Sequence, residues 1–99
     1  MLHVLICTDK PGHLDIRTAN REAHLVHLRA DRHVTQAGPL LDRDGAMWGS
    51  LIVFDTDDRN HVESFVADDP YGWAGLFSDV RIETWNRTVD RGSDRMDRA

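Results

Sequence analysis

The sequence predicts an α+β fold of βαββαβ order, the ferredoxin-like arrangement in which a four-stranded antiparallel sheet carries both helices on one face. Three observations predict it. Four short segments are rich in β-formers: residues 2–8, 34–41, 47–55 and 80–86. Two segments free of Gly and Pro, 13–32 and 58–67, place apolar residues at helical spacing. Turn signals separate them at Asp9-Lys10-Pro11-Gly12, Asp42-Arg43-Asp44-Gly45 and Asp68-Asp69-Pro70-Tyr71-Gly72.

The first strand, Leu2-His3-Val4-Leu5-Ile6-Cys7-Thr8, is apolar on both faces, as suits a strand covered on two sides. The first helix is expected over 13–32, with Leu14, Leu25 and Leu28 on one side at 100° per residue. The second strand contains Gly38-Pro39, and a proline without an N–H belongs at an edge. Asp44-Gly45 is a favoured hairpin pair leading into the third strand, which holds Leu51-Ile52-Val53-Phe54. Asp55-Thr56-Asp57-Asp58 offers caps for a second helix whose apolar side is Val62, Phe65 and Val66. Asp69 before Pro70 reads as a cap with Pro at the first position of a short helical turn reaching about Gly75. The last strand alternates Val80, Ile82 and Thr84 against Arg81, Glu83 and Trp85. One domain is expected over 1–87, followed by a polar, charged tail over 88–99 expected to be flexible. The sheet face away from the helices must hold Leu5, Cys7, Ile52 and Phe54 or their neighbours. Such a patch calls for a second copy packed sheet to sheet, so a homodimer is expected.

Bulk properties narrow the function classes. The chain has 99 residues, 40% of them hydrophobic and 29% charged, as a folded domain requires. Its net charge of −5 supplies no basic field, so nucleic acid is not an expected partner. No apolar run reaches the roughly 20 residues of a membrane helix, so no membrane partner is expected either. The single cysteine, Cys7, reads as a small buried hydrophobe and fits a reducing cytoplasm, where the chain is expected to reside.

The candidate chemistry centres on the first helix. Arg17, Arg21 and His24 follow i, i+4, i+7 spacing and share a side that overlaps the apolar stripe. Cations beside a core face are costly without partners. They read either as snorkelling side chains with a capping histidine, or as a polar pocket with cations for an anionic ligand and His24 for proton transfer. Asp69 reads as a cap, or as a carboxylate that orients an imidazole and fixes its tautomer. His24 and His27 form an HxxH pair, but no carboxylate stands at a ligand spacing and no metal site is expected. Trp48, Trp73 and Trp85 read as core or interface residues.

These residues also carry a resemblance. The pieces Asp9-Lys10, Arg21-Glu22-Ala23-His24-Leu25, Gln36-Ala37-Gly38-Pro39, Gly49-Ser50-Leu51-Ile52, Asp69-Pro70-Tyr71 and Ala74-Gly75-Leu76 occur in the order seen in the YCII family, over residues 1–87. The resemblance implies a dimeric α/β barrel of ferredoxin-like units and an active site built around a histidine and an aspartate. Here these are His24 and Asp69, with Arg17, Arg21, Asp9, Gly38 and Pro39 around the same pocket. The family includes a dehydrochlorinase acting on a chlorinated hydroxyquinol, and the wider fold includes muconolactone isomerases. The short segment between Leu41 and Met47 departs from longer members and implies a more open rim. The reading is a lyase or isomerase without metal or cofactor, moving a proton on a small oxygenated ring or carbonyl compound. The alternative is a non-catalytic module, a dimer that binds a small ligand or accompanies another enzyme.

Overall fold

The computed structural model describes residues 1–91. Along the chain lie β1 (Leu2–Asp9), α1 (Leu14–Ala19), α2 (Arg21–Ala30), β2 (Val34–Leu41), β3 (Met47–Phe54), α3 (Arg59–Asp68), α4 (Pro70–Trp73) and β4 (Phe77–Trp85). The strands form one antiparallel sheet of order β2-β3-β1-β4. The expected ferredoxin-like order is therefore present, with β2 and its Pro39 at an edge. Residues 92–99, most of the expected tail, lie outside the described residues. Among those described, no helix is long and apolar enough to cross a membrane.

Alternation along the strands decides what faces the helices. Leu5 pairs with Ile52, and these residues join Cys7 and Phe54 beneath Val62 and Phe65 of α3 in the core. Phe54 meets Phe65 edge to face, with centroids 5.1 Å apart. The neighbours Val4, Ile6, Leu51 and Val53 consequently take the opposite face, because successive side chains point to opposite sides. They line a shallow hollow of about 370 Å³ with Gln36, Glu83, Thr84 and Trp85. The three tryptophans are not core residues: Trp48, Trp73 and Trp85 are 42%, 79% and 39% exposed. β1 and β3 approach closely at Gly49, where a Cβ would lie 2.4 Å from the Cys7 carbonyl oxygen.

The first helical segment differs from the expectation of one rod. It breaks into α1 and α2 at Asn20. The Asn20 side chain donates to the Ile16 carbonyl at 2.9 Å, the same carbonyl its own N–H uses at 3.2 Å. Asparagine competes in this way with the helical ladder. The break also removes Leu14 from the apolar stripe, leaving it 51% exposed, while Leu25 and Leu28 stay partly buried. β4 begins three residues before the expected 80, at Phe77. A bulge between Thr8 and Asp9 brings Phe77 opposite Asp9, and the polar Ser78-Asp79 pair hides this start from a hydrophobicity reading.

Candidate active site

Arg17 and His24 lie seven residues apart, close to two full turns, and both turn inward despite the break between their helices. Arg17 is 3% and His24 5% exposed. Each burial is matched by a partner from another element. Asp9 follows Leu5 and Cys7 on the helix-facing side at the end of β1, and its carboxylate receives Arg17 in a forked contact. Arg17 Nε donates to Asp9 Oδ2 at 2.7 Å and the guanidinium Nη2 to Asp9 Oδ1 at 3.1 Å. The same Nη2 donates to Ser50 Oγ on β3 at 2.7 Å. A bidentate arginine–carboxylate pair is the geometry that makes a buried charge tolerable.

His24 meets the junction of α3 and α4. Asp69 is the N-cap of α4, with Pro70 at the first helical position. Its Oδ1 accepts from the Tyr71 backbone N–H at 3.0 Å and from His24 Nδ1 at 2.9 Å. A carboxylate only accepts, so Nδ1 carries a proton, and in the neutral imidazole the lone pair is on Nε2. Capping and imidazole orientation therefore coexist in one oxygen. Asp69 Oδ2 is sealed and, among the described residues, without a hydrogen-bond partner. The Tyr71 ring stacks on His24 with centroids 3.9 Å apart and planes 17° apart, and Arg17 Cζ stands 4.8 Å from its centroid. Burial pushes the Tyr71 phenol above its ordinary value, against the opposing pull of Arg17 and Arg21. Burial, with Asp69 and Asp9 nearby, pushes the Cys7 thiol up to about 12, so it remains a neutral core group.

These groups surround a cavity of about 170 Å³. Arg17, Arg21, His24, Ser50 and Tyr71 line its polar part; Ala37, Gly38, Pro39, Leu25, Leu28, Met47 and Ile52 line the rest. An apolar cavity of roughly 150 Å³ takes up benzene, so the space suits one substituted ring. Arg21 sits exposed at the cavity wall and makes no ion pair among the described residues. Asp9 and Asp69 are not in the wall; they stand behind Arg17 and His24 and hold them. Ser50 and Tyr71 are wall residues that the sequence reading did not single out. For Tyr71 a signal existed: the residue two after an N-cap aspartate supplies the capped N–H and so lies beside the cap.

His27 does not join His24. Its Nε2 donates to the Phe65 carbonyl at 2.9 Å. Among the described residues no three His, Cys, Asp or Glu side chains gather as a metal site. A second His–Asp pair, His61 Nε2 to Asp31 Oδ2 at 2.7 Å, faces a broad surface cleft. Asp31 there also accepts the His33 N–H at the end of α2, so that pair ties two elements together.

The chain belongs to the YCII-related family, whose domain model matches residues 1–86. It is 28% identical over 96 residues to an uncharacterised protein of Haemophilus influenzae, covering 88% of this chain and 98% of that one. Among solved structures it is similar to 5-chloro-2-hydroxyhydroquinone dehydrochlorinase from Burkholderia phenoliruptrix, in complex with 2,5-dihydroxybenzoquinone. That match has a TM-score of 0.80 and 33% identity, over 88% of this chain and 95% of the other. A cofactor-independent oxygenase from Streptomyces nogalater shares the fold at a TM-score of 0.58 and 14% identity, over 89% of this chain and 94% of the other.

Proposed function

We propose that this YCII-related protein is a small-molecule enzyme of the lyase or isomerase type, in which His24 moves a proton on a small oxygenated ring or carbonyl compound. The observation that carries the reading is that His24, at the wall of a ring-sized cavity, is bonded at 2.9 Å to a buried Asp69 behind it. Asp69 fixes the tautomer that leaves Nε2 as the base, and its charge stabilises the imidazolium formed when the proton arrives. Arg21, a cation at the wall with no ion pair among the described residues, would take the anionic oxygen of the substrate. The similarity to a dehydrochlorinase holding a dihydroxybenzoquinone supports this substrate class, because elimination of hydrogen chloride starts from a base. The test is a panel of hydroxylated and chlorinated hydroquinones followed by absorbance. Product formation is expected. Saturable binding with no product across the panel and across pH would replace the enzyme by a ligand-binding module.

The same reading includes a homodimer, supported by the apolar hollow that Val4, Ile6, Leu51 and Val53 line on the sheet face opposite the helices. Light scattering is expected to give the mass of two chains. Leu51→Glu, which puts a charge in the middle of that face, is expected to give the mass of one; a monomeric parent chain would remove the dimer from the proposal.

A further inference from the structure

The group left without a task in this site is the hydroxyl of Tyr71. The residue is 1% exposed. Its ring is held by the stacked His24 imidazole, by Arg17 and by the edge of Phe77 at 6.3 Å. Its backbone N–H is committed to Asp69. Yet the hydroxyl makes no hydrogen bond to any described residue. Buried phenols ordinarily find a partner, since leaving one unmade costs about 1–3 kcal/mol. The hydroxyl is also not sealed: among the described residues the only sealed, unpartnered side-chain N or O atom is Asp69 Oδ2. Tyr71 therefore meets the solvent only through a small opening, and it is part of the cavity wall. A nearly buried, rigidly held donor without an acceptor among the described residues, in the wall beside the proposed base, is a donor reserved for what enters the cavity.

We propose that the Tyr71 hydroxyl donates a hydrogen bond to a carbonyl or hydroxyl oxygen of the ring that His24 deprotonates. The proposal rests on the proton-transfer reading of the site and adds the group that receives the resulting charge. The step balances simply. The substrate's proton moves to His24 Nε2, forming an imidazolium paired with Asp69. The electron pair it leaves behind settles on a ring oxygen, which accepts from the Tyr71 O–H and from Arg21. The phenolic proton stays on Tyr71 throughout. Burial keeps the phenol protonated well beyond neutral pH, so the donor is present at neutral pH. An oxygen acceptor is thereby a requirement for recognition; a ring without one leaves the phenol unpaired and binds worse.

The test uses Tyr71→Phe, which keeps the ring on His24 and Arg17 and removes only the hydroxyl. With 2,5-dihydroxybenzoquinone as the probe, calorimetric titration is expected to show binding weakened about 10-fold or more in the variant. The chain has one tyrosine, so carbon-13 placed at its hydroxyl-bearing ring carbon reports on Tyr71 alone. That resonance is expected to shift when the probe is added. A third readout needs no ligand: without a protein partner to lose, the variant is expected to unfold at or above the temperature of the parent. Equal affinity with no resonance shift overturns the role of the hydroxyl and leaves the His24 reading standing. A clearly lower unfolding temperature means that the hydroxyl serves the fold, and overturns the proposal as well. Failure of the parent chain to bind the probe overturns this proposal together with the substrate class it rests on.

Discussion

Arg17→Met is expected to remove about 3–5 kcal/mol of folding stability, more than any other single change near the cavity. The reason lies in what is left behind. Arg17 and Asp9 have side chains only 4% and 8% exposed, and the guanidinium also serves Ser50 Oγ. Methionine fills the space of the aliphatic stem but leaves the Asp9 carboxylate buried with no counter-charge. Against a total of roughly 5–15 kcal/mol for a domain, such a loss lowers the unfolding temperature by roughly 15–30 °C. The double variant Arg17→Met, Asp9→Leu removes both charges and is expected to recover most of it, because an apolar pair of similar volume often replaces a buried ion pair without penalty. A thermal-unfolding cycle over the parent, the two single variants and the double variant measures this coupling. Additive effects would mean that the pair is not one unit. Arg17 is committed to Asp9 and Ser50, in contrast to Arg21, which makes no ion pair among the described residues.

That distinction between two arginines shows where the sequence is legible. The spacing of Arg17, Arg21 and His24 marks a polar side on a core-facing helix, because helical periodicity depends only on local geometry. The strand order follows from hydrophobic alternation and turn chemistry, and the edge position of β2 follows from Pro39. Which arginine is buried does not follow from spacing. It depends on Asp9, which alternation along β1 places beneath α1. The break at Asn20 is invisible to a pattern reading, since no Gly or Pro marks it and the cause is one side-chain hydrogen bond. Ser50 and Tyr71 are unread for a related reason. Their importance lies in contacts to residues 33 and 47 positions away, Arg17 and His24. Asp69 is the intermediate case: Pro70 announces a cap, and the same oxygen then turns out to hold His24.

The shared Oδ1 of Asp69 makes the second large effect specific enough to test. His24→Gln is expected to lower kcat by about 10²–10⁴-fold, the usual worth of a positioned acid–base group. Asp69→Asn is more discriminating. Asparagine caps helices as well as aspartate does, so its carbonyl is expected to stay on the Tyr71 N–H. With the oxygen pinned there, it still accepts from His24 Nδ1–H, and the tautomer is retained. What disappears is the negative charge. With the charge centres of the two groups about 4–5 Å apart, an imidazolium–carboxylate attraction is worth about 3–4 kcal/mol at an effective dielectric constant near 20, which is a loss of about 10²–10³-fold. The charge matters only once the imidazolium forms, so kcat is expected to fall while KM changes little. The new amide N–H groups occupy the place of Oδ2, which has no partner to offer them, so stability falls by about 1–3 kcal/mol as well. Nitrogen NMR of the His24 ring reads the tautomer directly. A flipped tautomer would show that the cap does not hold the oxygen, and a further drop in kcat would accompany it. An unchanged kcat in both variants would remove the His24–Asp69 pair from the chemistry altogether and return Asp69 to its role as the cap of α4.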